Sequence, residues 1–422
     1  MKQFIAKQLF SLFKKNALSL QTILDVMGIV EYQLSKQMSP AGRSLRSIQV
    51  KALKSAVNGG DKTVWTSILF PAEILYPFGL QPLTLEVFGA VLSIVGLSSH
   101  YLNIADSRSI PQTMCTFHRL MLGLSLDRFL KMPRMVGATS SMCDGNIKSF
   151  ALSAKDQNVP FLFLDIPHEK NLHSVKYLKD QLMEVAEHLS SFTGVKVSEA
   201  EWKEQAKLVS RQITLKNDFL NNYAKQCVNL FRGYEIANFA FTFYYLLGGP
   251  LLEKLLIKMG HDVVSCTHPH KKYKALKLNS TAKRLMWLHI VPQYPTPIWD
   301  LTDNGVYAKI VCDEYSATAL DPYDGDDFFG SVAERLINHP SNGRLEKRIS
   351  HIISTAKKFN VDGIIHYSSW GCHQASGNVS LIEKTLEDEG FPVLSLSGDA
   401  TDVRNASVEQ HRTRLEAFLE CL

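Results

Sequence analysis

Three of the seven cysteines in this 422-residue chain stand where the sequence changes character. Cys143 closes "SSMC" (140–143), after an apolar run at 135–138 and before a helix-like stretch over about 146–155; "VPFLFLDIP" comes next. Cys372 closes "SSWGC" (368–372), after the apolar run 363–367 and before a helix-like stretch over 378–388; a second apolar run lies at 391–396. Each unit runs strand, Ser-Ser, Cys, helix, a loop with Pro160 or Pro392, and strand. This weak internal repeat predicts two similar α/β domains in tandem. Parallel sheets bind ligands beyond the carboxyl ends of their strands, so facing domains would point Cys143 and Cys372 into one cleft. Cys115, in "IPQTMCTFHRLMLG", is expected near the first turn of a helix starting just before it. Free backbone N–H groups there favour a thiolate.

Three such cysteines could hold one metal centre. An iron–sulfur cluster held by three thiolates keeps one iron open for a substrate or another ligand. The alternative is packing, because lone cysteines are commonly buried as small hydrophobes, and no C-x-x-C or ferredoxin-type run is present. Cys227, Cys266, Cys312 and Cys421 have little motif context and read as packing residues or free thiols. His118, His366 and His373 lie near cysteines and read as structural or supporting groups.

Composition bounds the function classes. Hydrophobic residues make up 45% and charged residues 21%, an ordinary globular balance. The net charge of +5 is spread without a basic block, which argues against nucleic acid and suits an anionic small ligand. The start, "MKQFIAKQLFSLFKK", is amphipathic, lacking the continuous apolar core and cleavage site of a signal peptide. Residues 236–252 are the most apolar stretch and read as a buried helix, not a membrane span, because Asn238 and Gly248-Gly249-Pro250 interrupt them. An odd number of scattered cysteines argues against a disulfide framework and for a reducing cytoplasm. There is no G-x-x-x-x-G-K-[ST], G-x-G-x-x-G, H-E-x-x-H or G-x-S-x-G.

The elements that must position the cysteines can be read from periodicity. Residues 1–60 read as a helical element closed by the turn "NGGD". Residues 61–205 alternate short apolar runs with helix-like stretches, the pattern of a first α/β domain. A helical connecting segment covers 206–280, and a second α/β domain covers 281–422, with strands in "LMWLHIV", "VYAKIVC", "GIIHYSS" and "PVLSLSG". "SEAE" (198–201) fits a capping box. The expected fold class is two Rossmann-like parallel-sheet α/β domains in tandem with an N-terminal helical element. The apolar N-terminal residues Leu9, Phe10, Leu12, Phe13, Leu18, Leu20, Ile23 and Leu24 either face a partner or cover their own domain.

"MCDGNIK", "HYSSWGCHQASGNVSLIEKTLEDEGFPVLSLSGDATDVRN" and "QHRTRLEAFLE" together resemble the 2-hydroxyacyl-CoA dehydratase family, which includes benzoyl-CoA reductase subunits. The likeness runs from "WTSILFPAEILYPFGLQP" (65–82) to the C-terminus. The resemblance implies a [4Fe-4S] cluster between the two α/β domains, with Cys115, Cys143 and Cys372 matching the ligand positions. It implies an acyl-CoA substrate, a related second subunit or a homodimer, and a separate ATP-hydrolysing iron–sulfur activator. One-electron reduction of the thioester to a ketyl would expel the α hydroxyl and acidify the β proton. Glu73 as base and Ser67 as hydroxyl-positioning residue match the family's cleft; for Glu73 the plain alternative is a charge at a helix start. Gln410, Thr413 and Arg414 match the terminal helix, where they read as a docking network. His373 stands where most relatives have Arg. A reductase-like electron-transfer subunit, or a paralogue that keeps the cluster without catalysis, is the alternative reading.

Overall fold

The computed structural model describes residues 40–422 except 95, 129, 227–229, 267–280 and 303–305. The apolar residues between Leu9 and Leu24, and Cys227, lie outside the described residues, as does the side chain of Cys266. The first described element is helix α1 (Pro40–Gly59). The first sheet holds β1 (Thr63–Thr66), β2 (Gln81–Thr84), β3 (Met135–Thr139) and β4 (Phe161–Leu164). Its helices are α2 (Leu85–Ile94), α3 (Ser98–Ser107), α4 (Thr116–Leu126) and α5 (Asp144–Gln157).

A helical connector comes next: α6 (Leu172–Thr193), α7 (Glu199–Gln226), α8 (Gly233–Ala237), α9 (Phe239–Leu246) and α10 (Pro250–Cys266). The expected capping box starts α7: Ser198 N–H donates to Glu201 Oε2 at 2.7 Å, and Glu201 N–H donates to Ser198 Oγ at 3.3 Å. The stretch read as one buried helix is buried but broken at Asn238 and again at Gly248 and Gly249. Gly248 takes φ +81° and packs on the backbone of Glu73, 2.7 Å from where a Cβ would stand; only glycine fits both demands. Among the described residues, no single helix is long and apolar enough to cross a membrane.

The second sheet holds β5 (Lys283–Leu288), β6 (Ala308–Asp313), β7 (Gly363–Ser369) and β8 (Val393–Gly398). Between them lie α11 (Pro297–Thr302), α12 (Phe328–Asn338), α13 (Leu345–Phe359), α14 (His373–Ser376) and α15 (Val379–Asp388), and α16 (Val408–Cys421) closes the chain. The strand orders are β2-β1-β3-β4 and β6-β5-β7-β8, all parallel. The repeat seen in sequence is therefore a repeat of topology, and β3 and β7, which precede Cys143 and Cys372, are equivalent strands. β3 and β6 are buried along their whole length, as strands covered on both faces must be.

The carboxyl ends of the two sheets meet. Thr116 Oγ donates to Asp399 Oδ1 at 2.6 Å, Ser93 Oγ to the Thr401 carbonyl at 2.9 Å, and Trp370 Nε1 to the Gln112 carbonyl at 2.9 Å. The terminal helix docks through buried His411, whose Nε2 pairs with the Ser397 carbonyl at 2.8 Å, and through Leu415. Gln410, Thr413 and Arg414 stay exposed. The docking network expected of them is made by their neighbours instead, because the helical period turns 411 and 415 inward together.

Candidate metal centre

All three cysteines are helix N-caps: Cys115 of α4, Cys143 of α5 and Cys372 of α14. Cys115 therefore lies next to the first turn, as expected, but the helix starts just after it instead of just before. Pro111 and Thr113 form a separate turn, with the Met114 N–H bonded to the Pro111 carbonyl. Each sulfur faces two backbone N–H groups of the helix it caps: those of residues 117 and 118 for Cys115, 145 and 146 for Cys143, and 374 and 375 for Cys372. These are the donors left open at a helix start.

The structure brings the three together across the domain junction. Gly371, at φ +67°, lies against the Thr113–Cys115 backbone; a Cβ there would stand 2.6 Å from the Cys115 nitrogen. Cys115 packs with Ile290 on a small apolar cluster of Ala90, Phe117 and Ala400, which draws on both domains. Burial raises all three thiols, Cys372 to about 11, and Cys372 and Cys143 by their charge push Cys115 up further. Among the described residues, no three His, Cys, Asp or Glu side chains converge closely enough to grip a single metal ion. A multi-iron cluster asks for a different spacing, because each thiolate binds a separate iron. The donors fit such a group: three free sulfurs, helix-start N–H groups around each, and a glycine where a side chain would drive the two domains apart. A cluster's positive irons would also favour the thiolates that burial alone disfavours.

Two histidines touch these sulfurs. His118 Nε2 is 3.3 Å from Cys143 Sγ, and His289 Nε2 is 3.5 Å from Cys372 Sγ. His366 is fully buried beneath the second sheet's end, with neither ring nitrogen paired, and His373 is exposed. Cys312 is buried in β6 and Cys421 is exposed.

The two predicted non-cysteine residues part company. Ser67 immediately follows β1; it is buried and its hydroxyl has no partner. Glu73 is fully buried, and one oxygen is taken by Arg335 at 2.5 Å and by the Tyr323 hydroxyl at 2.7 Å. That pairing ties the first domain to α12 of the second. A carboxylate missed in sequence lies closer to the cysteines. Glu86, in the first turn of α2, accepts from the Ile68 N–H at 3.3 Å, while its Oε2 is buried and unpaired. Burial raises it to about 7, and its charge raises Cys143. His289, the residue after β5, was also missed. The rule that singled out Cys143 and Cys372, looking just past the carboxyl end of each parallel strand, finds both.

Beside Cys115, behind Ala90, is a cavity of about 110 Å³ between α1, α2 and the connector, lined in part by Leu53, Val87, Ala90 and Val91. Its polar wall is self-satisfied: the Tyr234 hydroxyl donates to Gln293 Oε1 at 2.9 Å, and Gln293 Nε2 donates to Asn238 Oδ1 at 2.9 Å.

Several known proteins resemble this chain in sequence. The (R)-phenyllactyl-CoA dehydratase alpha subunit of Clostridium sporogenes is 24% identical over 376 residues, covering 86% of this chain and 90% of that protein. The (R)-2-hydroxyglutaryl-CoA dehydratase subunit alpha of Acidaminococcus fermentans is 22% identical, covering 69% and 61%. The beta subunit of the C. sporogenes enzyme is 22% identical, covering 63% and 69%. The family model for the 2-hydroxyglutaryl-CoA dehydratase D-component matches residues 67–422, from Ser67 through all three cysteines and every strand after β1, and the chain belongs to that dehydratase family.

Proposed function

We propose that this chain is the cluster-bearing subunit of a 2-hydroxyacyl-CoA dehydratase, removing water from a 2-hydroxyacyl-CoA to give an enoyl-CoA. The observation that carries the reading is the meeting of three helix-capping cysteines, two from the first domain and one from the second, at the facing carboxyl ends of two parallel sheets. Cys115, Cys143 and Cys372 would hold a [4Fe-4S] cluster. Such a cluster supplies a low-potential electron and an iron with an open position that can polarise a thioester carbonyl or hydroxyl.

The chain's own groups do the rest. Glu86, buried and raised to about 7, takes the β proton, since a base works best with a pKa near the working pH. The unpaired Ser67 hydroxyl orients the substrate's α hydroxyl. Glu73, bound by Arg335 and Tyr323, holds the two domains in register. The cavity behind Ala90 receives the acyl side chain. Its lining of Leu53, Val87, Ala90 and Val91 suits an apolar acyl chain. The C. sporogenes relatives carry alpha and beta names, which supports a related second subunit. The sequence has no P-loop, which fits ATP hydrolysis by a separate activator.

The test is anaerobic reconstitution of the chain with its second subunit and a reduced activator, assayed on a panel of 2-hydroxyacyl-CoA thioesters with iron and sulfide counted. Cys143→Ala and Cys372→Ala are expected to lose cluster and turnover together. Full turnover in a cluster-free variant overturns the reading. So does a wild-type chain that takes up no iron.

A further inference from the structure

Two of the three candidate ligand sulfurs are each contacted by one buried imidazole, and the proposed chemistry uses neither ring. His118 reaches Cys143 from α4, and His289 reaches Cys372 from the end of β5. The two histidines do not occupy equivalent places in the repeat, yet each directs its Nε2 at the cysteine that follows the third strand of its own sheet.

The partners locate the ring protons. His289 Nδ1 is buried without a partner. A buried N–H without an acceptor is costly, so the proton sits on Nε2, facing Cys372. His118 is braced by Ser149, whose Oγ is 2.9 Å from Nδ1 and 2.6 Å from the Gly145 carbonyl. While Cys143 is a thiol, Ser149 donates to that carbonyl, Nδ1–H donates to Ser149, and Nε2 accepts from the thiol. Once the sulfur is an iron-bound thiolate it can only accept. The ring then carries a proton on Nε2, and the Ser149 hydroxyl turns to donate to Nδ1. Two further features fit a built contact. His289 adopts a left-handed backbone at φ +68°, a conformation uncommon for a non-glycine residue and frequent at functional sites. Gly145 leaves the gap clear: a Cβ there would lie 2.9 Å from the His118 ring and 3.3 Å from Cys143 Sγ.

We propose that His118 and His289 are positioning residues that donate Nε2–H···S hydrogen bonds to Cys143 and Cys372 and thereby raise the reduction potential of the bound cluster. The inference rests on the cluster reading above. Reduction adds negative charge that spreads onto the ligand sulfurs. A donor aimed at a sulfur stabilises the reduced state more than the oxidised one, and hydrogen bonds to sulfur are among the determinants of cluster potential.

The experiment uses the anaerobically reconstituted chain, with iron and sulfide counted before each redox titration followed by electron paramagnetic resonance. His118→Leu and His289→Leu are expected to retain the cluster and to titrate at a more negative midpoint than wild type, with the double variant lower still. His118→Gln and His289→Gln, which keep an N–H near the Nε2 position, are expected to recover part of the shift. A Leu variant with full iron and an unchanged midpoint overturns the role of that histidine. If a Leu variant fails to load iron, wild-type chain labelled with ¹⁵N-histidine decides the matter. Hyperfine coupling between the reduced cluster and the imidazole nitrogens is expected, and its absence overturns the inference. Failure of the wild-type chain to take up iron defeats the cluster reading itself, and the iron count separates that outcome from the others.

Discussion

The carboxyl ends of the two sheets are alike in topology and unlike in charge. Each presents a cysteine after its third strand, capping a helix and touching a histidine. Beside Cys143 the first sheet sets Glu86, a buried acid with one oxygen unpaired. Beside Cys372 the second sheet sets Glu314, the residue after β6, locked in a two-point pair with Arg348: Nε to Oε1 at 3.2 Å and Nη2 to Oε2 at 2.9 Å. Arg348 also donates to the Gln374 carbonyl at 3.0 Å, two residues past the cysteine. Burial works against both acids. In Glu314 the arginine outweighs it, and the carboxyl is held below its ordinary value; in Glu86 nothing does, and the carboxyl rises to about 7. The repeat thus fixes where the sulfurs stand, while pairing decides which acid is free to exchange a proton. The first sheet's end keeps an acid with an unpaired oxygen, and the second's holds its acid in an ion pair.

Breaking the first side is expected to have the largest effect. Glu86→Gln should lower kcat by about 10²–10⁴-fold, the usual worth of a general base, with the iron content unchanged. Undiminished kcat would remove Glu86 from the reaction. The same variant sharpens the electrostatic contrast through stability. The folded carboxyl binds its proton more tightly than the unfolded one, whose ordinary value is 4.5. Its contribution is therefore full below about pH 4.5 and is lost as pH rises to about 7. Urea melts across that window should show a flatter pH dependence in Glu86→Gln than in wild type.

On the second side, Arg348→Met strands Glu314 as an uncompensated buried charge and should cost about 3–5 kcal/mol, measured by denaturant unfolding. A loss under about 1 kcal/mol, the scale of an exposed pair, would mean that the pair is not the brace described. Gly371→Ala tests the seam between the sides. A methyl group there meets the Cys115 backbone, and φ +67° is strained for alanine. The expected cost is about 1–3 kcal/mol, together with weaker iron retention. Wild-type iron content and stability would show that the seam tolerates opening.

Much of this site was legible locally. Alternating apolar runs and helical periods, punctuated by Ser-Ser-Cys, marked the strand-to-helix turns that carry Cys143 and Cys372, because strand, turn and helix signals lie within a few residues of one another. Ser198 and Glu201 announced their helix start for the same reason. Glu86 and His289 were hidden. In "LTLEVFGA" an acid reads as an ordinary charge at a helix start, and in "LMWLHIV" a histidine reads as one more strand residue. Glu86 comes near Cys143 only through the parallel pairing of β2, β1 and β3, and His289 reaches Cys372 only because the backbone leaves the strand in a left-handed turn. The attachment of Glu73 to Arg335 spans 262 positions. By itself the sequence determined the tandem α/β class, the strand-end cysteines and the likeness to the dehydratase family, because each is written in short-range pattern. Which carboxylate is paired, which is free and which histidine meets which sulfur was decided by the tertiary structure, because charge and hydrogen bonding depend on neighbours that the chain brings together only on folding.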